Sequence, residues 1–465
     1  EISLGLVGSE MCIRDRYMTM IQRIVMKVST CFSTGVLFCL LMAGSPYGLA
    51  EKPVLTDWNY LPSYGQSLSV GWTAKPVVTT EQKNGNLMFK GGVRPFEGSN
   101  DRSAVIPLVE GISPDGARGE TPVSGAAGNF MRLLKKRASG KASKARFLCS
   151  ADGVGGVSIG VLSKGNAPYQ RILDDLTAGR ELASKAGKSF SMPCFLWTQG
   201  ETDQQDRKTG EWYKEKMRAL IQDINADAKA VTGQKNDVLC FGYQVASHLN
   251  YFAQNPTDYP AIAVAQLDLA LEKDSRYIMT TPMYHFSYSD GVHLTAPMSR
   301  LYGEYAGYVM YKVLVEGVHW KPIHPVAHAV GRKGQDWTVD VKFFVPVPPL
   351  ALDTKTILDP GNYGFSLVNG LGEPLEIKSV TLNGRDAVRI IMSSDPSGCH
   401  LRYGMTLKEK LPSGPRTGAR GCLRDSQGEK VKTRIQDVVY RMDNWCPFFD
   451  YPLDSRNGMN KTKSR

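Results

Sequence analysis

Once its N-terminal leader is set aside, this sequence of 465 residues offers no apolar run that would cross a membrane. Even the leader's stretch Thr34–Gly44 falls short of the roughly 18 to 20 residues that a spanning helix needs. Cysteines are few, nine in all, and their spacings match no zinc motif, so no metal site is expected. No lysine follows the glycine loop Asp152–Val157 in the manner of a phosphate-binding loop, which leaves phosphate binding unsupported. Lys and Arg are scattered, without a recognition helix or an aromatic-basic module, and this argues against nucleic acid as a partner.

What is present begins with an export signal. Residues 1–16 show neither helical nor strand periodicity and precede several methionines; they resemble translated adapter read-through and stand outside the fold argument. From Met26, a lysine, the apolar stretch and small residues ending at Ala50 read as a secretory signal peptide, so a secreted or periplasmic chain is expected, with no membrane association after cleavage. Phe38 stands before Cys39 where a lipoprotein signal requires a small residue, so no lipid anchor is expected. Beyond Ala50 the chain exceeds one ordinary core of roughly 100 to 250 residues, and two domains follow. Cys149, Cys194 and Cys240 lie in apolar runs and read as buried thiols, whereas Cys399 and Cys422 are the pair a disulfide would join. The net charge of +11 favours acidic partners such as anionic glycans. The basic residues of Arg132–Arg146 read as a solvated helix end and loop.

Strand and helix patterns alternate through the first part of this chain. Apolar runs at Ala145–Ser150, Met192–Trp197, Val238–Tyr243 and Tyr277–Thr280 read as buried strands. Helical patterns over Tyr169–Ala186, Trp212–Ala228 and Ile262–Glu272 separate the later ones, which predicts a parallel sheet wound with helices. Three polar stretches stand where such strands end. In Tyr64–Gly71, Ser67 lies on a tight turn that would expose its hydroxyl, although an ordinary turn with Ser67 as a helix N-cap reads equally from these residues. In Phe195–Asp203, the turn Gln199–Asp203 follows a strand at the end where open α/β sheets bind ligands. In Asp290–Thr295, a carboxylate stands three positions before an imidazole, the acid and base of a catalytic triad, or else a cap for the helix beginning near Thr295. The small residues of Gly119–Phe130 form a loop-to-helix junction at which backbone N–H groups could approach a ligand, or a plain capped helix start.

Taken in order, Gly65-Gln66-Ser67, Trp197-Thr-Gln199-Gly-Glu201-Thr-Asp203 and Asp290-Gly-Val-His293 resemble the SGNH hydrolase superfamily, in its sialate O-acetylesterase-like and acetylxylan-esterase-like branch. The resemblance covers about residues 57 to 315 and implies a flavodoxin-like α/β/α sandwich, no metal or other cofactor, and hydrolysis of acetyl esters on carbohydrate. It assigns Ser67 as nucleophile, His293 as general base and Asp290 as the residue orienting it. It assigns Gln199 as an oxyanion donor beside the Ser67 N–H, takes Gly125 as the second-block oxyanion position, and puts Glu201 in the same substrate-side loop, more scaffold than chemistry. Leu68 departs from the asparagine usual after the nucleophile. His285 is a candidate to line the pocket.

The segment Val318–Pro325, with His319 and His324, is a linker. It divides an esterase domain over 51–320 from an accessory domain over 326–450, with a frayed tail over 451–465. Beyond the linker, alternation over Trp337–Phe344 and two strands in Ile377–Met392 joined at Asn383-Gly384 predict a small β-sandwich.

Overall fold

The computed structural model describes residues 55–137, 144–247, 259–405 and 411–453. The signal-peptide reading, the artefact reading of 1–16 and the tail 454–465 lie outside the described residues.

Eight strands build the main sheet: β1 Trp58–Gly65, β2 Leu87–Phe89, β3 Val105–Pro107, β4 Arg146–Ala151, β5 Phe190–Ser191, β6 Cys194–Thr198, β7 Leu239–Gln244 and β8 Tyr277–Pro282. Their order is β3-β2-β4-β1-β6-β7-β8, with β5 also paired to β1, and every pair is parallel except β2 with β3. Taken alone, β1, β4, β6, β7 and β8 run in the flavodoxin-like order 2-1-3-4-5. The chain reverses its direction of travel across the sheet at β1, so the ends of β4, β1 and β6 border the crevice in which such sheets hold ligands.

Both faces of the sheet are covered, which is why its strands read as continuous apolar runs. Leu61, Phe147, Cys149, Cys194, Leu196, Leu239 and Phe241 turn to one face, against helices α1 Pro122–Arg137 and α6 Ala296–Leu314. Tyr60, Tyr64, Leu148, Phe195, Trp197 and Cys240 turn to the other, against α2 Ala167–Lys185, α4 Gly210–Thr232 and α5 Ala261–Leu271. A five-residue helix, α3 Glu201–Gln205, opens directly after β6. Among the described residues no helix is long and apolar enough to cross a membrane.

The C-terminal region is a β-sandwich. One antiparallel sheet joins Ile377–Leu382, Ala387–Met392, Asp336–Phe344 and His324–Lys333; the other joins Pro374–Leu375, Phe365–Val368, His400–Tyr403 and Phe449–Pro452. Phe343 meets Phe449 across them at 6.0 Å, and the hairpin turns through Gly384 at φ +78°. The six described cysteines are free and buried, so the expected Cys399–Cys422 disulfide is corrected; the Cys422 thiol donates instead to Ile357 O.

The sandwich and the α/β layer share one compact unit, Ser45–Arg465. The Gln244 amide exchanges two hydrogen bonds with the Phe448 backbone, at 2.9 and 2.7 Å, and Tyr284 Oη donates to Cys446 O. His285 is half-buried in this seam, stacked 5.6 Å from Trp445 and bonded to Thr281, and burial depresses its imidazole to about 3. It packs between the two layers.

Candidate active site

The site begins with a close approach that only glycine permits. Gly65 ends β1 at φ +141°, and a Cβ there would lie 2.0 Å from Thr198 O on β6. Gln66 N then donates to Thr198 O, and Gln66 Oε1 accepts from the N–H groups of Gly200 and Thr202. These bonds fasten the end of β1 to the start of α3. A single 3-10 turn, Ser67–Val70, follows and is closed by Gly71 in the left-handed region. Ser67 is thus held at the C-terminal end of β1, at the switch point of the sheet. Leu68 is buried in the core beneath it, an apolar role that an asparagine could not fill without a partner.

The loop between β8 and α6 supplies the other two groups. Asp290 Oδ1 accepts from the backbone N–H groups of Val292 (3.0 Å) and His293 (2.7 Å), and Oδ2 pairs with His293 Nδ1 at 2.7 Å. His293 Nε2 lies 2.8 Å from Ser67 Oγ. Burial alone would raise the Asp290 carboxyl, but the hydrogen bonds from His293 and Val292 outweigh it and hold it below its ordinary value. Asp290 does not cap the following helix, whose N-cap is Thr295. The Trp72 ring stands 6.3 Å from the His293 ring, with the Arg118 guanidinium 5.0 Å over it.

The remaining expected residues fall elsewhere. Gln199 Nε2 donates to Asp203 Oδ2 at 2.6 Å and weakly to Val157 O at 3.4 Å. Asp203 Oδ2 in turn accepts from Ile159 N at 3.0 Å. The amide ties the glycine loop to α3. Gly125 stands apart from Ser67 in the fold. It lies inside α1, where a Cβ would meet Arg300 O at 2.3 Å and Gly303 Cα at 2.9 Å, so its smallness serves the close crossing of α1 and α6. Glu201 is 2% exposed and accepts from Tyr243 Oη on both oxygens, at 2.6 and 2.7 Å; burial pushes its carboxyl up to about 7. It supports the loop from below and has no face toward a substrate.

The loop Asp152–Val157 was the signal passed over. Gly153 packs so tightly that a Cβ would meet Gly65 O at 2.5 Å, and Val154 N donates to that same oxygen. A Cβ on Gly155 would start 3.6 Å from Ser67 Cβ. Among the described residues, neither the Ser67 N–H nor the Gly155 N–H has an acceptor. A hydroxyl bonded to an imidazole and an imidazole bonded to a carboxylate, with backbone N–H groups close to the serine, are the parts that acyl transfer requires.

Residues 117–310 match the family described as "Carbohydrate esterase, sialic acid-specific acetylesterase". The match takes in the glycine loop, Gln199 and the Asp290–His293 turn, while Ser67 precedes it. No curated protein sequence matches the chain. Among solved structures, it is similar to a protein from Arabidopsis thaliana (17% identity, 55% of this chain and 97% of that one, TM-score 0.40). It is also similar to a carbohydrate acetylesterase from Xanthomonas citri (14%, 76% and 77%, 0.46) and to an aryl esterase from M. smegmatis (13%, 56% and 100%, 0.31). On the strength of this match over residues 117–310, the chain is a carboxylic ester hydrolase with an SGNH-type α/β layer.

Proposed function

We propose that this protein is a secreted serine esterase that removes O-acetyl groups from carbohydrate of the sialate or xylan type, with Ser67, His293 and Asp290 as its catalytic residues. The observation that carries the reading is the unbroken chain of hydrogen bonds from Asp290 through His293 to Ser67. Asp290 accepts from Nδ1 and so fixes the tautomer that leaves Nε2 free to take the Ser67 proton. Ser67 Oγ attacks the acetyl carbonyl, and the resulting oxyanion is met by the N–H groups of Ser67 and Gly155. His293 returns the proton to the departing sugar hydroxyl, leaving acetyl-Ser67. It then activates a water that releases acetate. Export rests on the leader ending at Ala50, and the positive net charge of +11 supports an anionic glycan as carrier of the ester.

The test follows acetate release from an acetylated aryl ester, acetylated sialic acid and acetylated xylan by the wild-type protein and by Ser67→Ala. The variant should lose at least about 10⁴-fold in kcat/KM on every substrate that the wild type cleaves. Retained activity would remove Ser67 from the chemistry, and the ranking of the natural esters would choose between the two glycans.

A further inference from the structure

The Asp290–His293 turn is held from two sides. The Asp290 side chain is 44% exposed, yet an acid and a base must be held to within a fraction of an ångström for proton transfer to be efficient. From the nucleophile side the turn is steadied by Thr73 Oγ1, 2.7 Å from Ser289 Oγ, and by Ser289 N donating to His293 O at 2.8 Å. The support on its other side comes from beyond the first seven strands of the sandwich. Ser413 N donates to Gly291 O at 3.0 Å, inside the turn itself. Gly291 has φ +84°, and a Cβ there would lie 2.8 Å from both Cα and Cβ of Pro412, so the proline packs directly on its α-carbon.

The Pro412-Ser413 pair is itself anchored. Ser413 is buried, and its hydroxyl donates to Ala246 O, just past β7, at 3.2 Å. Thr417 Oγ1 donates to Pro412 O at 2.9 Å, and Gly418, at φ +68°, lies beneath that carbonyl. The buried Arg420 bonds Gly418 O and Leu358 O, which ties the segment back to the sandwich.

We infer that Pro412 and Ser413 are positioning residues for the reaction: the C-terminal region clamps Gly291, and through it sets the Asp290 carboxylate and the His293 ring against Ser67. This rests on the proposed triad. It gives the C-terminal region a part in the chemistry that does not require it to bind glycan, and it makes the two regions one catalytic unit.

The test uses the full chain and three variants. Ser413→Pro removes the N–H that holds Gly291, Ser413→Ala removes only the bond to Ala246, and Pro412→Gly removes the ring from Gly291. We expect Ser413→Pro and Pro412→Gly to lower kcat on an acetylated aryl ester by about 10- to 100-fold, with KM within about twofold of wild type. The rate of Ser67 phosphonylation by an aryl phosphonate should fall in the same proportion, and Ser413→Ala, which keeps the N–H but loosens the anchor, should lose less than either. If Ser413→Pro does not fold, Pro412→Gly decides. Wild-type kcat and phosphonylation rates in folded Pro412→Gly and Ser413→Pro would overturn the inference, as would a loss matched by the unfolded fraction or confined to KM. Ser67→Ala, run alongside, separates the two readings: an active Ser67→Ala sinks the triad, whereas an inactive one beside fully active brace variants sinks only the brace.

Discussion

Replacing Glu201 by glutamine should make the protein's stability fall less as pH rises from 4.5 to about 7. The carboxyl is enclosed on all sides and receives the Tyr243 hydroxyl on both of its oxygens. Burial dominates that single donor and lifts the group from an ordinary 4.5 to about 7. Across this window the folded protein keeps a proton that the unfolded chain has released, so stability falls as pH rises from 4.5 to about 7 and levels off above it. The whole loss comes to about 3 kcal/mol. Glutamine has the same shape, can accept from Tyr243 with its carbonyl oxygen and does not ionise. The stability of Glu201→Gln minus that of wild type should therefore climb by about 3 kcal/mol between pH 4 and pH 8. Urea unfolding of both proteins at half-unit pH steps, followed by tryptophan fluorescence, measures this difference directly. Parallel pH curves would refute the reasoning, because they would mean that Tyr243 outweighs burial and the carboxylate is ionised in both states.

Three further outcomes follow from the same geometry. Asp290→Asn leaves the turn with a group that can offer His293 a donor as readily as an acceptor, so kcat should fall by roughly 10³- to 10⁴-fold with little change in KM, as steady-state kinetics on an aryl acetate will show. The depressed Asp290 carboxyl contributes stability above its unfolded value that is lost as pH falls through its folded one, so the gap in acid tolerance between wild type and Asp290→Asn should close at low pH in thermal scans. Gly65→Ala sets a methyl group 2.0 Å from Thr198 O at φ +141°, which forces β1 and β6 apart. It should cost about 2 to 4 kcal/mol in urea unfolding and lower kcat even in the folded fraction.

Much of the sheet was legible because both of its faces are buried: a strand covered on two sides shows as an unbroken apolar run, and β4, β6, β7 and β8 all do so. The pairing of Asp290 with His293 was legible because it is local, the Asp290 side chain closing a turn on the backbone and ring of His293 only three residues on. Contacts made at long range were not. Gly125 read as a loop because glycine and alanine are poor evidence for a helix interior; the α1–α6 crossing that needs them lies more than 170 residues away along the chain. Gln199 shows the same limit from the other side, since its residue type says that an amide is present but not that Asp203, one helical turn on, captures it.

Pro62 shows how such a conflict resolves. A proline argues against a central strand, because it has no N–H to give the ladder. Yet β1 sits in the middle of the sheet with Pro62 inside it, opposite Ser150 of β4. On its other side β1 pairs with β5 at Trp58 and Asn59 and with β6 from Ser63 to Gly65, so the interval between those two partners falls at Pro62. Ser63 O faces β4, where it accepts from Asp152 N, and the backbone of the preceding residue, Pro62, therefore faces the interval. The missing N–H points where no acceptor waits. The same break lets β5 end and β6 begin at the level that brings Thr198 against Gly65, and with it Gln66 and Ser67 to their places. The proline that makes the sequence look unlike a central strand thus stands where β1 changes partners, five residues before the serine.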